Sequence, residues 1–341
     1  MKRIASILLA LALILSLAAC AAPAEKADDG RIQIVATLFP YYDFARAIAG
    51  GRADITLLLS PGREAHSFEP TPLDAVTISE ADVFLYNGGE AEYWVDEMLD
   101  AAGEDIAVIA RMMDYVDALD EEYAEGMQGA DDHEHGHDHS HDDHDNHDDH
   151  DDHDHGADGH DSDEVEYDEH IWTSPKNAAV LCRAVCDAIC EADPANESFY
   201  RVNCDSYCAQ LEALDARFAA LCEGAPRRLL IFADRFPMLY FCREYGLDYR
   251  AAFHGCSGDT EPSLATIKYL IDKVEGEGIP VVYTIDFGTK KVAAAVSECT
   301  GAAIGTLYSM QTVSRTDFDA GETYLTLMER NYEALGKGLY E

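Results

Sequence analysis

Eleven of the fourteen histidines fall between Asp131 and Asp161, interleaved almost wholly with Asp and Gly. Imidazole is a good ligand for Zn²⁺, Ni²⁺, Cu²⁺ and Co²⁺, and the interspersed carboxylates raise the local concentration of cations. So few apolar residues cannot offset the entropy of ordering, so a mobile, multivalent and weakly binding loop is expected over residues 131–163. Outside it only His66, His170 and His254 remain. His66 stands in Pro61-Gly62-Arg63-Glu64-Ala65-His66-Ser67-Phe68-Glu69-Pro70, directly after a strand pattern. His170 stands in Asp168-Glu169-His170-Ile171-Trp172-Thr173-Ser174-Pro175, ahead of a long helical pattern. Ligands of open parallel sheets gather beyond the carboxyl ends of the strands. Two imidazoles meeting there make half of a tetrahedral Zn²⁺ site. Such ligands must be deprotonated, so affinity is expected to fall as pH drops through the histidine range near ~6.5. His254, before Gly255-Cys256-Ser257-Gly258, reads as a loop residue, and Trp172 as a packing residue that seats the His170 loop.

The same residues are weaker material for catalysis. No helical pattern carries a His-Glu-x-x-His pair, and there is no Gly-x-Ser-x-Gly elbow. Glu64 and Glu69 flank His66, so a zinc hydrolase using one of them as base stays open as a lesser reading. A surface metal buffer or adhesin, needing only the loop, is another. The formal charge of −42 argues against nucleic-acid binding and favours cationic partners.

The elements around these residues follow from periodicity. Lys2 and Arg3, an apolar run to Leu17 and then Ala18-Ala19-Cys20 read as an export signal over 1–19. Its end resembles the lipobox of bacterial lipoproteins, which makes Cys20 the lipid-anchored first residue of the mature chain. Residues 20–30 form a tether. Strands are predicted at Ile32–Leu38, Ile55–Ser60, Val83–Asn87 and Ile106–Ala110, and again at Arg228–Ala233, Tyr249–Phe253, Val281–Ile285 and Ala303–Tyr308, with amphipathic helices between. Alternating β and α segments imply parallel sheets with crossover helices. The fold class is therefore α/β: two lobes, 31–174 and 226–341, each with a roughly four-stranded parallel sheet. Between them, 175–225 reads as two helices broken at Asp193-Pro194, the second long enough to be a rigid interlobe spacer. Nine cysteines remain beyond Cys20; Cys182, Cys186 and Cys190 share one helix face, Cys204 and Cys208 another. Both disulfides between adjacent helices and buried free thiols fit that spacing.

Pro61-Gly62…His66…Glu69-Pro70 and Asp168-Glu169-His170-Ile171-Trp172…Ser174-Pro175 resemble the two metal-ligand motifs of the solute-binding proteins of zinc and manganese ABC transporters, the ZnuA, AdcA and TroA-like group. Asp193-Pro194-Ala195-Asn196, Tyr245-Gly246-Leu247 and Thr323-Tyr324…Met328…Asn331-Tyr332 extend the likeness over nearly the whole mature chain. The resemblance implies a monomeric, non-enzymatic binding protein that holds Zn²⁺, with Mn²⁺ the alternative, between the lobes and passes it to a permease on the same membrane. It also implies a third ligand after the first strand of the second lobe and a fourth after the last strand. Here those segments read Ala233-Asp234-Arg235-Phe236-Pro237 and Tyr308-Ser309-Met310-Gln311-Thr312. Asp234 is the candidate third ligand, with Asp286 and Gln311 as further oxygen donors. Asp234 also suits a helix cap, and Arg235 is an unfavourable neighbour for a cation unless a carboxylate neutralises it.

Overall fold

Ile32–Ala36 (β1), Ala53–Leu57 (β2), Val83–Tyr86 (β3) and Val108–Arg111 (β4) pair in parallel in the order β2-β1-β3-β4. The computed structural model describes residues 30–102, 106–127, 166–255, 257 and 261–341, with position 66 described by its backbone alone. The export signal, Cys20, most of the tether and the His/Asp-rich loop 131–163 lie outside the described residues. Phe39–Ala49 (α1), Pro72–Ser79 (α2) and Trp94–Ala102 (α3) make the crossovers of the first lobe. Thr71 caps α2 in a reciprocal box with Asp74, and Pro72 takes the first turn, where no amide is needed.

Pro175–Ala192 (α4) ends at Asp193-Pro194, and Glu197–Glu223 (α5) follows. The 27 residues of α5 extend about 40 Å at 1.5 Å per residue. The break is knitted by Asp193, whose carboxylate accepts from Tyr200 Oη (2.6 Å) and Asn196 Nδ2 (2.7 Å).

The second lobe repeats the first. Leu229–Phe236 (β5), Asp248–His254 (β6), Val281–Ile285 (β7) and Ala303–Leu307 (β8) lie in the order β6-β5-β7-β8, again parallel. Leu239–Tyr245 (α6), Leu264–Glu277 (α7) and Lys291–Thr300 (α8) are its crossovers. Arg315–Asp319 (α9) and Tyr324–Tyr340 (α10) bring the chain back against α1 and α5. The expected fold class holds: two four-stranded parallel sheets with a long helix between.

Most strand ends shift by one to three residues from expectation, and two of these differences matter to the site. β5 runs on through Asp234 and Arg235 to Phe236, because a bulge between Phe232 and Arg235 lets it keep pairing with β6. β6 accordingly extends to His254, which is the last residue of a strand rather than a loop residue.

The main apolar cluster passes through both sheets and the helices between them, with Trp172, Tyr41, Tyr200 and Tyr324 fully buried. A carboxylate is buried against it. Asp43 on α1 is 1 % exposed and accepts from Tyr207 Oη of α5 (2.7 Å), the Tyr324 amide of α10 (2.9 Å) and Arg46 (2.7 Å). The two buried donors, Tyr207 Oη and the Tyr324 amide, would each cost about 1–3 kcal/mol if left without this acceptor, so the carboxylate fixes first lobe, spacer and C-terminal helix together.

Candidate metal centre

The carboxyl ends of both sheets face one crevice. A cavity of about 20 Å³ lies there, lined by Glu64 and His170 from the first lobe and by Arg235, Gly255, Ile285 and Gln311 among residues of the second. That volume suits a single water or a single ion.

His170 is 1 % exposed and precedes the tight turn Ile171–Thr173. Its Nδ1 lies 3.2 Å from Asp168 Oδ1, and the same oxygen accepts its backbone amide at 2.8 Å. Burial alone pushes His170 down, but the Asp168 carboxylate, joined by Glu121 and Glu169, outweighs this and the imidazole is raised. A carboxylate on Nδ1 fixes the tautomer and makes Nε2 the more basic, metal-seeking nitrogen.

The loop carrying His170 is clamped from every side. Tyr240 Oη of α6 donates to the Asp168 carbonyl at 2.8 Å, and Asn87 Nδ2 donates to the Glu169 carbonyl at 3.0 Å. Trp172 Nε1 donates to the Ser309 carbonyl after β8 at 2.7 Å, and Tyr324 Oη donates to the Trp172 carbonyl at 2.7 Å. The indole also meets the His170 ring edge-to-face at 5.6 Å, the seating role its position suggests.

His66 occupies the turn Ala65–Ser67 beyond β2. Its backbone is two residues from Glu64, which forms the first-lobe wall of the cavity. Glu64 makes an ion pair with Arg235 across the crevice, so the cation beside the site is neutralised.

Asp234 is engaged by backbone amides. Its Oδ1 accepts from the Arg235 amide (2.9 Å), its Oδ2 from the Ile285 amide (3.3 Å), and Gly288 leaves the space its carboxylate fills. Burial raises it from its ordinary value. The structure does not bring it to the described wall of the cavity beside His170. Asp286 likewise accepts the Ser309 amide at 3.1 Å, and burial pushes it up to about 6. Gln311 does line the cavity, next to Met310, whose φ of 58° is rare for a residue with a side chain. Such backbone, held by a fully buried Met310, aims the Ser309–Thr312 turn at the crevice.

Sequence reasoning singled out His254 as a loop residue but passed over its partner Glu121. His254 Nδ1 lies 3.4 Å from Glu121 Oε1, which also accepts the Gly255 amide at 2.9 Å. Glu121, Glu166 and His254 each present a ligand atom within 4.8 Å of the others. Burial would raise Glu121, but the His254 hydrogen bond and the His170 charge win and hold it low. A Cβ on Gly255 would stand 3.0 Å from His170 Cε1 and 3.0 Å from the Phe236 carbonyl, so the His170 ring lies directly against this backbone. The bulge in β5 and the length of β6 produce that juxtaposition; nothing local to Glu121 or His254 announces it.

Residues 34–338 match the family model of the zinc-uptake complex component A, periplasmic. The chain belongs to this family. It is 30% identical over 335 residues to the zinc-binding lipoprotein AdcA of Streptococcus pneumoniae, covering 98% of this chain and 60% of that protein. It is also 30% identical over 329 residues to the high-affinity zinc uptake system protein ZnuA of Bacillus subtilis, covering 95% of this chain and 94% of that one. The chain thus spans about 60% of the length of the streptococcal relatives it matches. Among solved structures, the metal-dependent lipoprotein YcdH of Bacillus subtilis superposes with a TM-score of 0.71 at 26% identity, over 91% of this chain and 100% of that one. The Zn(II)-bound ZnuA-like domain of Streptococcus pneumoniae AdcA shares the fold with a TM-score of 0.69 at 24% identity, over 92% and 100% of the two chains.

Proposed function

We propose that this chain is the extracytoplasmic binding subunit of a zinc importer, holding one Zn²⁺ in the crevice beside His170 and passing it to a permease. The observation that carries the reading is a buried imidazole, fixed through Nδ1 by Asp168, on a cavity of one-ion size between the carboxyl ends of two parallel sheets. Membership of a zinc-uptake family supports it. Zn²⁺ is cargo here, and no bond of the cargo is made or broken, so no enzymatic step is required.

His66 and His170 are the proposed nitrogen ligands. Asp234, the oxygen ligand suggested by sequence, would have to give up two backbone amides to reach an ion. Glu64 needs only to leave Arg235, which makes it the readier oxygen donor on the cavity wall. Imidazole donors favour Zn²⁺ over Mn²⁺, which prefers carboxylate and carbonyl oxygens. Cys20 is the proposed lipid anchor, and the His/Asp-rich loop the proposed collector that concentrates cations near the crevice.

Competition titration with Zn²⁺ tests this, using the full chain and a chain lacking residues 131–163. The reading requires one tight site that survives loop removal and is lost in His170→Ala and His66→Ala. Weak sites only, vanishing with the loop, would instead support a surface buffer.

A further inference from the structure

Two helices in the middle of the chain carry a feature that metal capture between the lobes does not use. Cys182, Cys186 and Cys190 on α4 face Cys204 and Cys208 on α5, and all five are at most 6 % exposed. The helices run antiparallel: Arg201 pairs with Asp187, Cys204 Sγ lies 3.8 Å from the Cys182 carbonyl, and Cys208 Sγ lies 3.7 Å from the Ala179 carbonyl.

The sulfurs of Cys182, Cys204 and Cys208 all lie within 4.8 Å of one another. Cys204 and Cys208 are 3.8 Å apart, and Cys186 and Cys190 are 3.9 Å apart. Thiolates at about 2.3 Å from a tetrahedral ion stand about 3.8 Å from each other, and about 4.0 Å around a trigonal one. The triad therefore sits close to coordination spacing without backbone movement. Within one helix a disulfide fits poorly, because in the i,i+4 pairs Cys204–Cys208 and Cys186–Cys190 both Cα–Cβ bonds tilt the same way along the axis. Between the helices Cys182 approaches both Cys204 and Cys208, and thiol counting separates a disulfide there from a metal site. The cysteines here are free thiols.

Charge is provided for as well. Three thiolates around a dication leave one net negative charge, and two arginines stand at the rim. Arg201 Nη1 lies 3.9 Å from Cys186 Sγ, and the Arg183 charge acts on Cys208.

We propose that Cys182, Cys204 and Cys208 form a buried thiolate site for a thiophilic d¹⁰ dication of the Zn²⁺ or Cd²⁺ class, pinning α4 to α5 independently of the crevice between the lobes. Soft thiolates select such ions, and each thiol surrenders its proton to solvent on binding.

Cd²⁺ added to the reduced full chain is the direct probe, because only sulfur ligands give a thiolate-to-metal charge-transfer band; the histidine loop does not. One equivalent should produce the band, and binding should release about three protons per ion in weakly buffered solution. The band should persist in His170→Ala and in Cys242→Ser, and be absent from Cys204→Ser and Cys208→Ser that retain wild-type circular dichroism. Should those variants fail to fold, band and proton count in the wild type still decide. The proposal falls if the wild type shows no band, if the band outlives both substitutions in folded protein, or if thiol counting on protein purified without reductant finds the triad tied up as disulfide.

Discussion

Glu64, beyond β2 of the first lobe, and Arg235, in the bulge of β5 of the second, form an ion pair across the crevice that holds His170. The pair spans the cavity from both lobes and places a cation on the wall that His170 and Gln311 also line. Arg235 is 11 % exposed, so its charge is poorly screened by water.

Removing that cation should therefore tighten binding. Arg235→Met keeps the apolar stem, frees Glu64 and removes repulsion of a dication; the Kd for Zn²⁺ in loop-deleted protein should fall on the order of ten-fold. Isothermal competition against a chelator of known affinity measures it. Unchanged or weaker binding would mean that Glu64 and Arg235 serve the lobe contact and leave the ion alone.

Asp168 touches the His170 ring and would act on an ion only through it. Asp168→Asn preserves its shape but forfeits the charge behind Nδ1, and loss of such an outer partner commonly weakens metal affinity 10–100-fold. The same titration should show that loss while the melting temperature of the metal-free protein moves little. A large melting change with intact affinity would assign Asp168 to the fold alone.

Glu92 makes a stability prediction remote from the ion. It is 5 % exposed, and burial pushes it up to about 7 even though the Gly88 amide donates to Oε2 at 2.9 Å. Between the ordinary carboxyl range near 4.5 and about 7 the folded chain binds this proton and the unfolded chain does not. The slope of unfolding free energy with pH is negative in that window, so the group favours folding below it and penalises folding above it. Glu92→Gln should remove that slope. Relative to wild type it should gain roughly 3 kcal/mol on going from pH 4.5 to pH 8, read from urea unfolding at each pH. Parallel pH profiles for the two proteins would contradict the assignment.

Most of the frame was legible from periodicity. Val281–Ile285 has the bounds its β-branched run implies, Pro175 and Asp193-Pro194 delimit α4, and Thr71-Pro72 starts α2. His170 was legible for a different reason: few histidines lie outside the loop, and its flanking Asp168 and Trp172 make the clamp observed. What stayed hidden depends on register between distant strands. The bulge at Phe232/Arg235 carries Asp234 inward to backbone amides and Arg235 outward to Glu64, and no local pattern around Ala233 encodes it. Likewise Glu121 and His254, more than 130 residues apart, meet only because β6 pairs to its last residue. The cysteine spacing was plain in the sequence, but which thiols converge is a property of how α4 and α5 pack.

The central claim is that one ion sits between the lobes on the imidazole of His170. Anomalous diffraction at the zinc edge, from crystals of the loop-deleted protein carrying one equivalent of Zn²⁺ at the crevice, locates that ion without assumption. The account predicts a peak about 2.0–2.1 Å from Nε2 of His170 and from one nitrogen of His66. A crevice without such a peak, or a peak there that leaves His170 uncoordinated, would contradict it.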